Sequence, residues 1–186
     1  GYFPDGDLYY VMYYEEDLPE GIATYFAHDS IPALKIKYLY GRAVSYAYMD
    51  KNMKMSEFKP FPKEKIQIIS YYSNGKKSME IEYENGMKNG KQIIYYPNGS
   101  ISEEKIFVNN MYDGTLISYY KNGKIRTVVD YKNDLMHGKY EEFYDNGKLF
   151  FEATYYFDEL NGVANLFDKS GTLLNSEKYY YGNIIK

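Results

Sequence analysis

Short runs of alternating apolar and polar residues follow one another along this chain, and most runs end in a cluster of Asn, Asp and Gly. The runs are about five to eight residues long and are dominated by Tyr, Phe, Ile and Val, which favour β-strands. Within residues 100–108, Phe107 falls on one face by the period-two rule and Glu104 falls on the other. Glu80 and Glu152 hold the same place as Glu104, which predicts a solvated face. Helix signals are absent, so we predict a chain of strands.

This pattern repeats at a fixed interval of 24 residues. The sequence Tyr-Tyr-x-Asn-Gly occurs at 71–75, 95–99 and 119–123, with variants at 143–147 and 167–171. A second glycine follows the first by 15 residues in successive units, at Gly90, Gly114, Gly138 and Gly162. Aromatic residues form a further column at Tyr83, Phe107, Tyr131, Tyr155 and Tyr179. Such regular repetition is the signature of a tandem array of small supersecondary units.

Each unit is predicted to be a β-hairpin. Tight turns are expected at 85–86, 109–110, 133–134 and 181–182, because Asn, Asp and Gly tolerate positive φ. A lone hairpin is marginal in water, so neighbouring units must pair with one another. The predicted fold is all-β, an elongated single-layer antiparallel sheet of about eight tandem hairpins that is twisted or curled.

Weaker copies of the pattern extend to the N-terminus. We therefore expect residues 1–186 to form a single repeat domain, with regular repeats over 71–186 and degenerate repeats over 1–70. The segment 59–62, Lys-Pro-Phe-Pro, replaces the usual Asn-Gly turn and is predicted to bulge out as a rigid loop.

Composition narrows the function classes. The net charge of -4 is small and negative, so it provides no electrostatic attraction to nucleic acid or anionic lipid, which are themselves negatively charged. No nucleic-acid partner is therefore expected. The absence of Cys excludes disulfides, thiolate catalysis and zinc-thiolate sites. No apolar run approaches the length of a membrane helix. The 26 Tyr are explained by an interior of stacked rings whose hydroxyls reach water at the rim.

The compartment stays open between a bacterial cytoplasm and a cell envelope. Abundant Lys, Ile, Asn and Tyr are typical of bacteria with AT-rich genomes. Because the chain starts at Gly1 without Met, it fits a trimmed product from which any signal peptide is missing.

No catalytic constellation is found in the sequence. The two histidines, His28 and His137, fall in turn columns and are expected to be solvated turn residues. Adjacent acids such as Glu103 and Glu104 point to opposite faces of a strand, so they form no carboxylate dyad. We expect a chain without enzymatic activity, metal or cofactor.

The second tyrosine of each pair is the predicted binding residue. This column consists of Tyr72, Tyr96, Tyr120 and Tyr144 and alternates to the face opposite the first tyrosine. Toward the ends it is replaced by Ala27, Ala47 and Asp168. Because a core position should not accept Asp, we expect an exposed aromatic stripe that contacts a partner. A ladder that only stiffens the sheet is the alternative interpretation.

The stretches that begin at Asn74, Asn98 and Asn122, such as "NGKIRTVVDYKNDLMHGKYEEFYDNG", resemble the bacterial variant of the MORN (membrane occupation and recognition nexus) repeat. The resemblance is strong over 71–171. It departs at the place where the family has Trp, which here holds Gln92, Leu116, Tyr140 and Ala164. Proteins with similar repeats are often described as antitoxins of toxin-antitoxin systems, and the wider family is associated with protein scaffolding and lipid contact.

Two binding functions follow from these observations. The first is a non-catalytic scaffold, in an antitoxin-like form, that binds a protein partner. The alternative is a cell-wall or glycan binder, because the chain also resembles the Tyr-rich hairpins of clostridial toxin and choline-binding repeats. Regularly spaced clefts between exposed tyrosines would favour the glycan binder, and hairpins paired edge to edge in one sheet would disfavour it. The oligomeric state is left open, and membrane contact has no support in the sequence.

Overall fold

The computed structural model describes residues 1–3 and 6–185, and the described residues form strands and turns without a helix. The chain divides into two compact units, residues 1–100 and residues 101–186. The strands of the first unit are β1 (Tyr10–Glu15), β2 (Leu18–Phe26), β3 (Pro32–Leu39), β4 (Arg42–Tyr48), β5 (Lys59–Pro60), β6 (Ile66–Tyr71), β7 (Lys77–Glu84) and β8 (Met87–Tyr95). Those of the second are β9 (Ile101–Val108), β10 (Met111–Tyr112), β11 (Gly114–Tyr119), β12 (Ile125–Lys132), β13 (Leu135–Phe143), β14 (Leu149–Tyr156), β15 (Glu159–Leu160), β16 (Gly162–Phe167), β17 (Leu173–Tyr180) and β18 (Asn183–Ile185).

The prediction of an all-β fold built from consecutive antiparallel hairpins is confirmed. In the first unit, β1 to β5 pair in chain order, and β6, β7 and β8 pair in chain order in another sheet. In the second unit, β9, β11, β12, β13, β14, β16, β17 and β18 pair in that order, while β10 pairs with β9 and β15 pairs with β14. Every pairing within the units is antiparallel.

The first unit departs from a single layer, because two sheets share one core there. Leu34 and Ile36 of β3 cluster with Ile81 and Tyr83 of β7, and all four side chains are at most 2% exposed. The hydroxyl of Ser70 on β6 donates to the carbonyl of Ala33 at 2.7 Å, which fixes the two sheets relative to each other. Burying these apolar side chains from both sheets stabilises the unit in the way of a β-sandwich.

Two-residue turns join the hairpins at one end. Both turn residues have positive φ, which gives the strand twist that a hairpin requires. The four predicted turns at 85–86, 109–110, 133–134 and 181–182 are confirmed, and three more occur at 16–17, 40–41 and 157–158. Three of these seven turns contain Gly, which enters this backbone region without steric cost.

Two local predictions are wrong. The segment 59–62 does not bulge out, because Lys59–Pro60 pairs with β4 and the Phe61 ring lies 4.8 Å from the rings of both Tyr46 and Tyr83. Glu80 is not on a solvated face, since it is 8% exposed and accepts hydrogen bonds from Gln67 and from the Tyr95 hydroxyl. An acidic side chain is tolerated there because these donors and the Lys77 ammonium, 2.8 Å away, compensate its burial.

Candidate functional site

The predicted binding column lies largely inside the protein. Tyr72 is 2% exposed and Tyr96 is 8% exposed, while Tyr120 and Tyr144 are half-buried. The expected exposed stripe is therefore wrong in the first unit. Ala27 and Ala47, which replace the column toward the N-terminus, are also buried.

The hydroxyls of Tyr72, Tyr120 and Tyr144 bridge to the following repeat. Tyr72 donates to the carbonyl of Tyr95 at 2.5 Å, Tyr120 to that of Phe143 at 2.6 Å, and Tyr144 to that of Phe167 at 2.9 Å. The separation is 23 residues in each case. We call this set the hydroxyl ladder. A tyrosine suits it because the ring fills the apolar interior while the hydroxyl satisfies a backbone carbonyl.

The Asn-Gly-Lys turns form a second connection between repeats beside the hydroxyl ladder. Asn122 donates from Nδ2 to the carbonyl of Asp145 at 3.1 Å, and Lys124 donates from Nζ to the carbonyl of Asn146 at 2.8 Å. Asn146 and Lys148 repeat these bonds one unit later, to the carbonyls of Lys169 and Ser170. The Asn and Lys of the Asn-Gly-Lys turns therefore recur because their side chains hydrogen-bond to backbone carbonyls of the following repeat.

Asp168 ends the hydroxyl ladder. It stands where a tyrosine would bridge onward, and its Oδ1 instead accepts the backbone N–H groups of Ser170 and Thr172 and the Ser170 hydroxyl. Asp is accepted in this column because it satisfies its own turn, and its presence does not report on the exposure of the column. The inference from Asp168 to an accessible stripe was wrong for this reason.

A different set of tyrosines is accessible on the second unit. The tyrosine face consists of Tyr131, Tyr140, Tyr155 and Tyr179, with Glu142 and Glu177 between them. All six side chains are half-buried. The Tyr140 ring centroid lies 5.8 Å from that of Tyr155. The strands described between residues 101 and 185 pair side by side, so none of them covers this face.

Burial, hydrogen bonds and neighbouring charges raise the pKa values of the hydroxyls of the tyrosine face. Tyr179 donates to Glu177 at 2.6 Å, and this bond raises the pKa of Tyr179 and lowers the pKa of Glu177. Burial raises the pKa of Tyr140, and the neighbouring Glu142 raises it further. Burial also raises the pKa of Tyr131 and of Tyr155. The face therefore offers neutral aromatic donors around two glutamates.

The equivalent column is covered in the first unit. Tyr83, which stands 48 residues before Tyr131, is 1% exposed and packs against Phe61. Burial raises the pKa of Tyr83 well above its ordinary value, and the nearby Tyr38 of β3 adds to this. The first unit thus shows how a second β-sheet covers this column of the repeat.

The histidines do not assemble a catalytic site. His28 is not a solvated turn residue, because its side chain is 3% exposed and its ring stacks on Phe3 at 4.0 Å and on Tyr96 at 4.7 Å. His137 packs against the Tyr156 ring at 5.0 Å. No group of three or more His, Asp or Glu side chains that could hold a metal occurs within residues 1–3 and 6–185.

An open cleft in the first unit offers no nucleophile-base pair either. It is lined by Tyr46, Tyr48, Asp50, Lys51, Asn52, Gln67, Ile68, Ile69 and Tyr71. Asp50 accepts the backbone N–H groups of Asn52 and Lys54 at 2.8 and 2.9 Å, so it is held in its turn. Lys51 lies over the Tyr71 ring.

No helix in the described part of the chain is long and apolar enough to cross a membrane.

Sequence reasoning missed the tyrosine face, although the sequence contains a signal for it. Tyr140 stands where related units carry Gln92 and Leu116, and Glu142 follows two residues later on the same face. In the first unit the corresponding residues Gln92 and Ile94 are buried. The change from Ile94 to Glu142 at one repeat position marks the part of the array that is open to solvent.

Comparison with known proteins agrees with this repeat geometry. The family model described as MORN repeat variant matches four tandem segments, residues 67–85, 88–109, 112–133 and 136–155. A search of curated proteins gave no match. Repeats of this family generally serve as binding modules and are typically non-enzymatic.

Proposed function

Because residues 67–155 consist of four tandem MORN repeat variants, we propose that this chain is a non-catalytic scaffold that binds another protein through the tyrosine face. The repeats supply a rigid surface, since adjacent strands and the hydroxyl ladder fix each side chain relative to the next. Preorganised aromatic side chains lose little entropy on binding, which suits them to recognition.

One observation carries the proposal. The aromatic column is buried at Tyr83 under a second sheet of the first unit and is also buried at Phe107, whereas its later members Tyr131, Tyr155 and Tyr179 are half-buried and are not covered by another strand of the second unit. Half-buried tyrosines that present hydroxyls are enriched at protein interfaces, where ring burial and hydrogen bonding act together. A partner that covered these rings would repeat what the first unit does within one chain.

The charge of the tyrosine face indicates the chemistry of the partner. Glu142 and Glu177 lie among the rings, and the nearby Lys105 is already paired with Glu103 at 2.5 Å. The face is thus aromatic and negatively charged. Lysine and arginine side chains complement both properties, because they pair with carboxylates and stack on aromatic rings. We therefore expect the partner to present a basic segment.

An antitoxin-like role is the more specific form of this proposal. In that form the partner would be a toxin that the chain neutralises by covering it. A captured partner that arrests growth when expressed alone, and is harmless when expressed with this chain, would support the role. A partner without such an effect would leave a scaffold that is not an antitoxin.

The glycan alternative is not favoured. It needs clefts between exposed tyrosines at each repeat, but successive strands pair edge to edge and Tyr72 and Tyr96 are buried. The function we propose is therefore protein binding.

Site-specific photo-crosslinking tests the proposal. A photoreactive phenylalanine placed at Tyr140 should crosslink one protein from the native lysate. The matched control is the same residue at Leu174, which is 60% exposed. Successive side chains of a strand point to opposite faces, so Leu174 of β17 lies on the face opposite Asn175 and Glu177. A photoreactive residue at Leu174 should therefore give no such crosslink.

The affinity of the purified partner then tests the role of charge. The double variant Glu142→Lys with Glu177→Lys should bind at least about tenfold more weakly, and added salt should weaken wild-type binding. Lys139→Glu, on the opposite face, is the charge control and should leave the affinity unchanged. Crosslinks that form only from Leu174, or an affinity that does not respond to the charge reversal, would overturn the proposal.

A further inference from the structure

The open cleft of the first unit runs along an unpaired strand edge. It contacts Gln67, Ile68 and Ile69, which are consecutive residues of β6. Successive side chains of a strand point to opposite faces, so a cleft that contacts all three lies beside the edge of the strand. β6 ends its sheet, where it pairs with β7 and with no other described strand. Alternate backbone N–H and C=O groups of β6 therefore face the cleft.

The opposite wall of the cleft is aromatic. It is formed by Tyr46 and Tyr48 of β4 and by the turn at 50–52. The two rings are nearly parallel, with centroids 6.3 Å apart and an interplanar angle of 22°, and both pack against the core that contains Ile68. The cleft has a volume of about 430 Å³, within the range of about 300–1,000 Å³ that is typical of ligand sites. The space between the strand edge and the rings can therefore hold a short segment of chain.

Hydrogen bonds hold both walls of the cleft in place. The Ser70 hydroxyl of β6 donates to a carbonyl of the other sheet, and the Gln67 side chain donates to Glu80 at 3.0 Å. Across the cleft, Asp50 fixes its turn by accepting two backbone N–H groups. A site that is ordered before binding loses little entropy when a ligand enters.

The charge at the cleft is positive on balance. Lys51 and Lys59 each lie over a tyrosine ring of the cleft, with Nζ 5.3 and 5.4 Å from the ring centroids. Neither lysine forms an ion pair with another described residue. The acid in the cleft wall is Asp50, and the nearby Glu80 is already paired with Lys77 at 2.8 Å. Two ammonium groups thus face one carboxylate, although the whole chain carries a net charge of -4.

We propose that this cleft binds an extended acidic segment of another protein, which adds a strand to the open edge of β6. In this mode of recognition, backbone hydrogen bonds supply affinity and the surroundings of alternate side chains supply specificity. Apolar side chains of the segment contact Tyr46 and Tyr48, and its carboxylates pair with Lys51 and Lys59. The site contains no residue of the tyrosine face, for which we expect a basic segment.

Amide hydrogen exchange of the full chain tests the proposal with the blocked peptide acetyl-Glu-Val-Glu-Val-Glu-amide. Saturating peptide should slow the exchange of alternate amides within residues 66–71 at least about tenfold, because their N–H groups gain acceptors. The same peptide N-methylated at every residue cannot donate to the β6 carbonyls and should bind at least about tenfold more weakly. A peptide with Gln in place of Glu should also bind more weakly, since it cannot pair with the lysines.

A charge reversal in the cleft separates binding from folding. Lys51→Glu should bind the acidic peptide at least about tenfold more weakly at an unchanged melting temperature, because the position is exposed. Lys37→Glu is the matched control, since Lys37 is exposed on β3 outside the cleft, and it should bind as the wild type does. Equal affinity of the N-methylated peptide, or unchanged affinity of Lys51→Glu, would overturn the proposal. So would β6 amides that are protected in the free protein and lose this protection on dilution, because a second copy of the chain would then occupy the edge.

Discussion

Replacing Tyr72 with phenylalanine tests the hydroxyl ladder at its most buried member. The ring is kept and only the hydroxyl is removed, which donates to the Tyr95 carbonyl at 2.5 Å and accepts the His28 N–H at 3.4 Å. Because the tyrosine is 2% exposed, water cannot readily replace the lost group. The variant should therefore fold with the same topology and lower stability.

The expected loss follows from the burial of the groups involved. A net hydrogen bond contributes about 0.5–1.5 kcal/mol, and a buried group deprived of its partner costs about 1–3 kcal/mol. We expect Tyr72→Phe to destabilise the protein by about 2 kcal/mol. Tyr120→Phe should cost about 1 kcal/mol, because this tyrosine is half-buried and water can reach the Phe143 carbonyl.

Urea denaturation monitored by circular dichroism measures this difference. With a slope of about 2 kcal/mol/M, the midpoint of Tyr72→Phe should fall by about 1 M. Tyr13→Phe is the control, because Tyr13 is 66% exposed and its variant should keep the wild-type midpoint. The slope should be equal in all variants, which shows that the compactness of the folded state is retained.

The reasoning is refuted if Tyr72→Phe is as stable as Tyr13→Phe. The hydroxyl ladder would then contribute nothing beyond ring packing, and the regular tyrosine column would need another explanation. A changed slope would instead indicate that the two sheets of the first unit had separated.

Three further predictions concern the hydroxyls of Tyr83 and Tyr119 and the backbone conformation of Gly138. Tyr83→Phe should stabilise the protein by about 1 kcal/mol in urea denaturation, because the Tyr83 hydroxyl is buried without a hydrogen-bond partner among the described residues; a lower midpoint would contradict this. Burial and Glu104 raise the pKa of Tyr119 to about 12, above its unfolded value of about 10. The stabilisation that the Tyr119 hydroxyl provides is therefore complete below about pH 10 and is lost as the pH rises through about 12. A pH titration of thermal stability should show a smaller loss for Tyr119→Phe than for the wild type, and equal losses would exclude this cause. Gly138→Ala should lower the urea midpoint by the equivalent of about 1–3 kcal/mol, because Gly138 has φ +120° and an added Cβ would lie 3.0 Å from the Asp130 side chain; an unchanged midpoint would contradict the role of this glycine.

The sequence predicts the local structure well because turns and strands depend on nearby residues. Asn85 and Gly86 have the positive φ expected from their residue types, and the four turns predicted from the repeat are placed correctly. Turn 157–158 was missed because Phe157 is not a turn-forming residue. Its conformation is imposed by the repeat, which overrides the preference of the side chain.

The sequence does not predict which face of a strand is covered. Period-two alternation places Tyr96 and Tyr95 on opposite faces, but both faces of the first unit bury polar groups beside apolar ones. Packing of the two sheets depends on contacts between distant residues, such as Ser70 with Ala33. Changing Tyr96 and Tyr120 together to serine should accordingly cause a large fall in melting temperature, because the Tyr96 ring is buried.

The central claim is that one tyrosine column joins the repeats while the tyrosine face binds a partner. The most direct test compares two double variants by calorimetric titration with the crosslinked partner, once purified, and by urea denaturation. Tyr120→Phe with Tyr144→Phe should lower the unfolding midpoint and leave the affinity of the folded protein unchanged. Tyr140→Ser with Tyr155→Ser should weaken binding at least about tenfold under conditions where the protein is folded. The opposite pattern, lost affinity in the first variant and retained affinity in the second, would contradict the claim.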